Sequence, residues 1–458
     1  MRTAHTVAQI REAESRLMPT LPDGALMQRA AAGLASVCAQ FLGRVYGAHV
    51  IVLAGSGHNG GDALYAAARL ARRGAHVEAV LLGPSTFEPA LADLRRAGGT
   101  VVDKPGAADL VIDGIVGIGG QPGLSERASA LLTSLDAPVV AVDMPSGIGV
   151  DTGAVDGPHV EAAVTVTFGT AKIGLFVDPA ADAAGVVEEV DIGLTPYLGE
   201  PAIEVLQVDD IRRLLPRPTP DAHKYTRGVL GVVAGSEQYT GAGVLVVSAA
   251  VATGLAGMVR YEGASADLIR AAHPEVVIGR GQVQAWVVGS GVGRGSQAQV
   301  ASVLAERLPT VVDADGLRHL STMSGTPRVL TPHAGELAGM LDVSRARVEA
   351  QMLESARMAA TRWDSVVLLK GARSVIAAPD GRVRVNHTGV AWLATAGAGD
   401  VLSGVIGSLL ATGLDPYDAA SVGAWLHGAA ASLASRGGPL SASAVIATLP
   451  DAIRVAVD

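Results

Sequence analysis

The 458-residue chain has a single cysteine, Cys38. One thiol excludes an intramolecular disulfide framework and suits a reducing cytoplasm. In the apolar run LASVCAQFL, Cys38 reads as a small buried hydrophobe and not as a nucleophile. Aromatic residues are also scarce, at 3%, although 49% of the chain is apolar and Gly, Ala and Val dominate. That mixture suits parallel sheets covered on both faces by helices. Basic tracts are missing and the formal charge is −9, which argues against a nucleic-acid partner. The N-terminal MRTAHTVAQIREAESRL lacks an apolar core, so it is neither signal peptide nor membrane anchor. One uncharged run, 238–259, is long enough to span a bilayer. Its four glycines, its Ser and Thr, and its place after a strand-like run make it a buried core helix, so no membrane partner is expected.

The length exceeds what one hydrophobic core supports and predicts two domains. Residues 10–42 show helical spacing and end at Gly43. Apolar strands such as HVIVLAG, HVEAVLLG and PVVAVDMPSG then alternate with helical segments of about a dozen residues, which specifies a parallel, doubly wound α/β sheet. A proline-rich stretch of weak periodicity, 194–228, reads as a connection, and VLGVVAG opens a second α/β set. The boundary falls near 205, giving domains 1–205 and 206–458.

In AGSGHNGGDAL, residues 54–64, Gly55, Gly57 and Gly60 fit the dinucleotide fingerprint. A dehydrogenase loop would also need an acidic residue at the end of the second strand to hold a ribose. The only candidate, Glu78, falls inside that strand, and Asp62 places negative charge at the first helical turn, where a pyrophosphate needs positive potential. Asp62 is either a helix cap or a site residue. Asp113 ends VIDGIVG, and AVDMPSG carries Asp143 and Ser146. Strand ends of an open sheet converge, so Asn59, Asp62, Asp113, Asp143 and Ser146 are expected to share a cleft whose oxygen ligands suit K⁺ or Mg²⁺.

These segments, with TVTFGTAKIGL, resemble the N-terminal epimerase half of the bifunctional NAD(P)H-hydrate repair enzymes, a Rossmann-like domain. The resemblance implies that His58, Asn59, Gly60, Gly61 and Asp62 line the hydrate pocket, and that Gly117, Ile118, Gly119, Gly120, Gln121, Pro122 and Gly123 contact the substrate. It further implies that Asp143 is the acid/base and that Asn59, Asp113 and Ser146 ligate K⁺. The chain departs from the family pattern at His58 (Asn), Ala63 (Gly) and in GIGG at 117–120, where the pattern has G-T-G-L.

The second half carries TAGAGDVLSGVIGSLLATG, residues 395–413. Val401, Leu402, Val405, Ile406, Leu409 and Leu410 mark one helical face. Gly397, Ala398 and Gly399 open the helix, so their N–H groups make an anion hole. Asp400 beside that hole is placed to take a proton from a hydroxyl about to attack a phosphoryl group. The element resembles the ribokinase-like fold. HKYTRGVLGVVAGSEQYTGAGVL, VVDADGL, LTPHAGELAGML and NHTGVAWLATAGAGD are similar to the ADP/ATP-dependent NAD(P)H-hydrate dehydratases. That resemblance implies that Ala242, Gly293 and His333 contact the hydrate, that Lys370, Gly371, Ala372, Arg373, Ser374 and Gly399 hold the nucleotide, and that Asp400 is catalytic and near the substrate. Mg²⁺ would accompany ADP or ATP. His333 reads equally as a neutral buried histidine, whereas Asp313 and Asp315 either bind Mg²⁺ indirectly or, the preferred reading, cap a helix. Ser290 and Ala334 stand where the family often has Pro, changes expected to affect loop stiffness more than chemistry.

The expected function is repair of hydrated nicotinamide dinucleotides: epimerisation of R- and S-NAD(P)HX and ADP-dependent dehydration of S-NAD(P)HX. NADHX, NADPHX and the adenine nucleotide are the expected ligands, and a homo-oligomer stays open. The alternative is a sugar or pyrimidine kinase fused to a dinucleotide-sensing domain; release of inorganic phosphate separates the two.

Overall fold

In a computed structural model the chain divides between Ile203 and Glu204 into two compact units, with Met1–Arg2 counted in the second. The structure describes residues 1–293, 295–320 and 328–457, and every count or absence below refers to these.

The first unit holds seven parallel strands. Their order across the sheet is Thr100–Val101, His76–Leu81, His49–Ala54, Leu110–Gly114, Val139–Val142, Val164–Phe168 and Val186–Val190. Numbered along the chain this is 3-2-1-4-5-6-7, and the direction of winding reverses between His49–Ala54 and Leu110–Gly114. Crossover helices leave opposite faces at such a point, so a crevice opens beyond the carboxyl ends of those two strands. The central strands are apolar on both faces because helices cover both.

In the second unit the order is Val277–Ile278, Met258–Tyr261, Val229–Val233, Ala285–Val288, Thr310–Val312, Arg328–Leu330 and Val366–Leu369, all parallel. The antiparallel strands Ser374–Ala377 and Val383–Asn386 follow. The first seven repeat the winding of the first unit, 3-2-1-4-5-6-7.

Three expectations about elements need correction. The helical spacing over 10–42 is divided between two helices, Val7–Leu17 and Ala25–Leu42, and is interrupted between them. Pro19 and Pro22 lack the N–H groups that a continuous helix requires, and Gly24 turns the chain at φ 75°. The stretch 194–228 is more than a connection, since it contains the strand Ile203–Val205 and the helix Val208–Leu214. The uncharged run 238–259 is a helix only over Thr240–Thr253; Gly254, at φ 62°, ends it and the strand Met258–Tyr261 follows. No helix among the described residues is long and apolar enough to cross a membrane. Cys38 is fully buried and burial pushes its thiol up to about 12, so it packs as a hydrophobe.

Candidate functional sites

In the first unit, a cavity of about 680 Å³ lies at the switch point. Its floor is the turn from the strand His49–Ala54 into the helix His58–Arg72. Gly55 and Gly60 make that turn: a Cβ on Gly55 would stand 1.9 Å from the Ile115 carbonyl, and one on Gly60 2.2 Å from the Gly55 carbonyl. Only bare backbone fits this strand–helix approach. His58, Asn59 and Asp62 line the cavity, as do Gly117, Ile118, Gly119, Gly123 and Asp143. Gly60, Gly61, Gly120, Gln121 and Pro122 are not among its lining residues; Gly61 instead faces Phe87 and Met27. Asp62 is not in the first helical turn and caps nothing. The helix begins at His58, which puts Asp62 in the second turn, where it is buried with Oδ1 lacking any hydrogen-bond partner.

Asp143 sits in left-handed backbone, φ 66°, just after the strand Val139–Val142. That rare conformation turns its carboxylate onto Lys172, whose ammonium is fully buried. The same ammonium reaches Thr167 Oγ1 at 2.9 Å and the carbonyls of Phe168 and Thr170 at 3.1 Å each. Lys172 lies in the quoted segment TVTFGTAKIGL but carries no sequence signal that separates it from a surface lysine. Glu14 and Arg11, from the helix Val7–Leu17, complete the wall and were likewise missed. Burial, together with the charges of Asp143 and Glu14, holds Asp62 well above the usual carboxylate range. Burial and the Asp143 charge also raise Glu14. Like charges in a low-dielectric pocket favour the neutral acid. The site therefore combines an ammonium-paired carboxylate with two carboxyl groups biased towards holding protons.

Asp113 and Ser146 do not line the cavity. They lie sealed beneath it, with Ser146 Oγ donating to Asp113 Oδ1 at 2.7 Å and Ser146 N–H to Oδ2 at 2.8 Å. Ser146 Oγ in turn accepts from Val116 N–H at 3.0 Å. Burial pushes Asp113 up to about 6, although the Ser146 and Ile115 bonds favour its charged form. None of these partners is a cation. Asn59 closes on the same loop, since a Cβ on Gly117 would stand 2.8 Å from Asn59 Oδ1, and its amide nitrogen is buried without a partner. A buried carboxylate without a countercharge, a hydroxyl and an unsatisfied amide together fit a monovalent hard cation.

In the second unit, Asp400 stands in the first turn of the helix Ala398–Ala411. Gly397, at φ 85°, bends the chain into that helix, where a Cβ would also stand 2.5 Å from Leu245 Cδ1. Lys370 follows the strand Val366–Leu369 and donates to Asp313 Oδ1 at 2.9 Å; Glu336 Oε2 is 3.8 Å away. A Cβ on Gly399 would stand 3.4 Å from Lys370 Nζ, so lysine and helix opening share one spot. Ala242 faces the glycine loop at Gly291, and Gly293 N–H donates to Asp315 Oδ2 at 3.2 Å. Gly371 and Ala372 are exposed, and Arg373 and Ser374 half-buried, in the hairpin turn after Lys370.

Asp313 does not cap a helix. It is buried, its oxygens taken by Lys370 and by Ser403 Oγ at 2.8 Å. Burial raises its carboxyl, but the Lys370 charge and bond with the Ser403 and Thr331 hydroxyls outweigh that and hold it low. His333 is not buried either. With a side chain 59% exposed, it caps the helix Ala334–Leu341, Nδ1 accepting from Glu336 N–H at 3.1 Å. Ser290 does more than set loop stiffness: it is fully buried, its hydroxyl lies 3.4 Å from Asp313 Oδ2, and it favours the charged form of Asp400. Burial and the Asp313 charge raise Asp400 to about 6, against the opposing pull of Ser290 and Lys370. A carboxylate so poised, beside a lysine and a helix N-terminus, can accept a hydroxyl proton near an anion.

The family described as NAD(P)H-hydrate dehydratase matches residues 230–450, and the family of YjeF-related protein N-termini matches 23–174. The bifunctional NAD(P)H-hydrate repair enzyme Nnr of Mycobacterium leprae is 46% identical, over 95% of this chain and 94% of its own length. This chain belongs to the bifunctional NAD(P)H-hydrate repair enzymes. The Nnr repair enzyme of Escherichia coli is 35% identical over 85% of this chain and 82% of its own. A solved ADP/ATP-dependent NAD(P)H-hydrate dehydratase from Bacillus subtilis, co-crystallised with ATP/Mg²⁺, superposes with a TM-score of 0.52 at 29% identity. It covers 55% of this chain and 97% of its own. Two α/β domains, one ribokinase-like, are thus those of a repair enzyme, and a sugar kinase with a sensing domain is set aside.

Proposed function

We propose that the second unit transfers a phosphoryl group from ADP or ATP to the C6 hydroxyl of the hydrated nicotinamide ring of S-NAD(P)HX. Asp400 takes the hydroxyl proton, the oxygen attacks phosphorus, and AMP or ADP departs. Departure of inorganic phosphate from C6, with loss of a proton from C5 to solvent, then restores the C5–C6 double bond. Lys370 to Ser374 and the N–H groups of Gly397 to Gly399 hold the nucleotide phosphates, to which Mg²⁺ is bound as part of that substrate. Ala242, Gly293 and the exposed His333 contact the hydrate. The observation that carries this reading is the meeting of Asp400, Lys370 and Gly399 at one helix opening. In the first unit, Asp143 serves as acid/base at C6, oriented by Lys172, while Asp62, its carboxyl raised by burial and the Asp143 charge, lines the same cavity. Asn59, Asp113 and Ser146 hold K⁺, which supplies positive charge beneath the pocket.

The test supplies purified protein with each hydrate epimer, with and without K⁺ and each nucleotide. Recovery of dihydronicotinamide absorbance with stoichiometric release of inorganic phosphate supports the reading, and a stable phosphorylated product overturns it.

Two narrower outcomes follow. The dehydration rate is expected to rise with pH through about 6 and then level, because Asp400 works only when ionised. Ser290→Ala removes a hydroxyl that favours the charged form, so that limb moves up by about one pH unit, the equivalent of about 1.4 kcal/mol, while the plateau stays. Asp113→Asn is expected to abolish K⁺ dependence of epimerisation and to lower its rate by about tenfold in saturating K⁺, comparable to the loss of one cation ligand. Steady-state assays against KCl, with an isomolar choline control, check this.

A further inference from the structure

The parallel pairing of the first two strands sets His49 directly beside His76, with Glu78 two residues along the second strand and on the same face as His76. These residues sit at the amino-terminal ends of their strands, the opposite edge of the sheet from the cavity. The imidazole centroids are 4.6 Å apart. Glu78 lies between the rings: Oε2 is 3.3 Å from His49 Nε2 and Oε1 is 3.8 Å from His76 Nε2. One donor atom from each of the three falls within 4.8 Å of the other two. His49 Nε2 is buried and has no hydrogen-bond partner. The carboxylate is fixed from behind by Gly106 N–H, which donates to Oε2 at 3.0 Å, and His49 N–H donates to Asp109 Oδ2 at 2.8 Å. The repair chemistry uses none of these groups.

We infer that His49, His76 and Glu78 form a binding site for a divalent transition metal ion of the Zn²⁺ class. Two imidazoles and one carboxylate are a donor set such an ion takes at about 2.0–2.2 Å. Tetrahedral donors at that bond length stand about 3.4 Å apart, close to the separations present, so small side-chain rotations complete the site. The fourth position faces solvent past His76, whose side chain is 61% exposed, and takes water. A hard oxygen-seeking ion such as Mg²⁺ is disfavoured by the two nitrogens. The ion would tie together the start of two adjacent strands without touching the catalytic cavity.

Full-length untagged protein, stripped with chelator, is titrated with ZnCl₂ by calorimetry and with Co²⁺ by visible absorption. One saturable equivalent of Zn²⁺, a tetrahedral Co²⁺ spectrum, and at least a tenfold loss of affinity in both His76→Ala and Glu78→Gln support the site. No saturable binding, or equal affinity in wild type and both variants, overturns it. His76→Ala alters an exposed side chain, and Glu78→Gln keeps the shape, so retained epimerase and dehydratase activity confirms that either variant is folded.

Discussion

Replacing Asp400 by Asn is expected to lower nucleotide-dependent dehydration by about 10³-fold while leaving ADP affinity within about threefold of wild type. A positioned general base contributes about 10²–10⁴-fold, and Asn keeps the shape but cannot accept the hydroxyl proton. The neighbouring Lys370 stays paired with Asp313 in the variant, so phosphate binding persists. Epimerisation, measured separately by exchange between the two hydrates, is expected to be unchanged. Dehydration that survives in Asp400→Asn would remove the base from the mechanism. Equal loss of ADP binding and turnover would make the residue a nucleotide contact instead.

Lys172→Met is expected to destabilise the first unit by about 3–5 kcal/mol, lowering its unfolding midpoint by about 10 °C. The cost arises because Met leaves the Asp143 carboxylate in a buried place without its ammonium, and because the Phe168 and Thr170 carbonyls lose a donor. Asp143→Asn has a different signature. Asn tolerates the left-handed backbone at φ 66° almost as well as any residue but glycine, so the fold survives. Epimerisation is expected to fall by about 10²–10⁴-fold, with dehydration of the S epimer intact. Calorimetry on both variants, beside epimer-resolved chromatography, separates the two effects. An Asp143→Asn protein that still interconverts the hydrates at the wild-type rate would overturn the assignment.

The alternation of Val-rich strands and helices was legible because a parallel sheet covered on both faces demands it. The glycine loop at 54–64 was legible for a similar reason: Gly55 and Gly60 leave no room for a side chain. Asp113, Asp143 and Asp400 were visible as carboxylates at strand or helix ends. Ser146 was placed with Asp113, but the partners of Asp143 and Asp400 stayed hidden. Lys172 stands on the two-residue strand Ala171–Lys172, too short for any periodicity, and only its enclosure marks it as special. Asp313 precedes a helical turn and so resembles a cap, yet the side chain turns away to Lys370, which joins it across 57 residues. Ser290 looked like a softened loop because its influence on Asp400 crosses more than a hundred residues. Glu14 comes from a helix whose pattern says only that one face is apolar. Pairings over such distances are set by topology, whereas local sequence reports only local geometry.

The wall formed by Arg11 and Glu14 has a practical corollary. Similarity to the N-terminal family begins only at residue 23, so a chain trimmed to that limit keeps every strand of the first sheet and the whole glycine turn. It loses one side of the pocket, including an acid that presses on Asp62. In this protein the opening helix therefore supplies part of the pocket wall, ahead of the point where the recognisable signature begins.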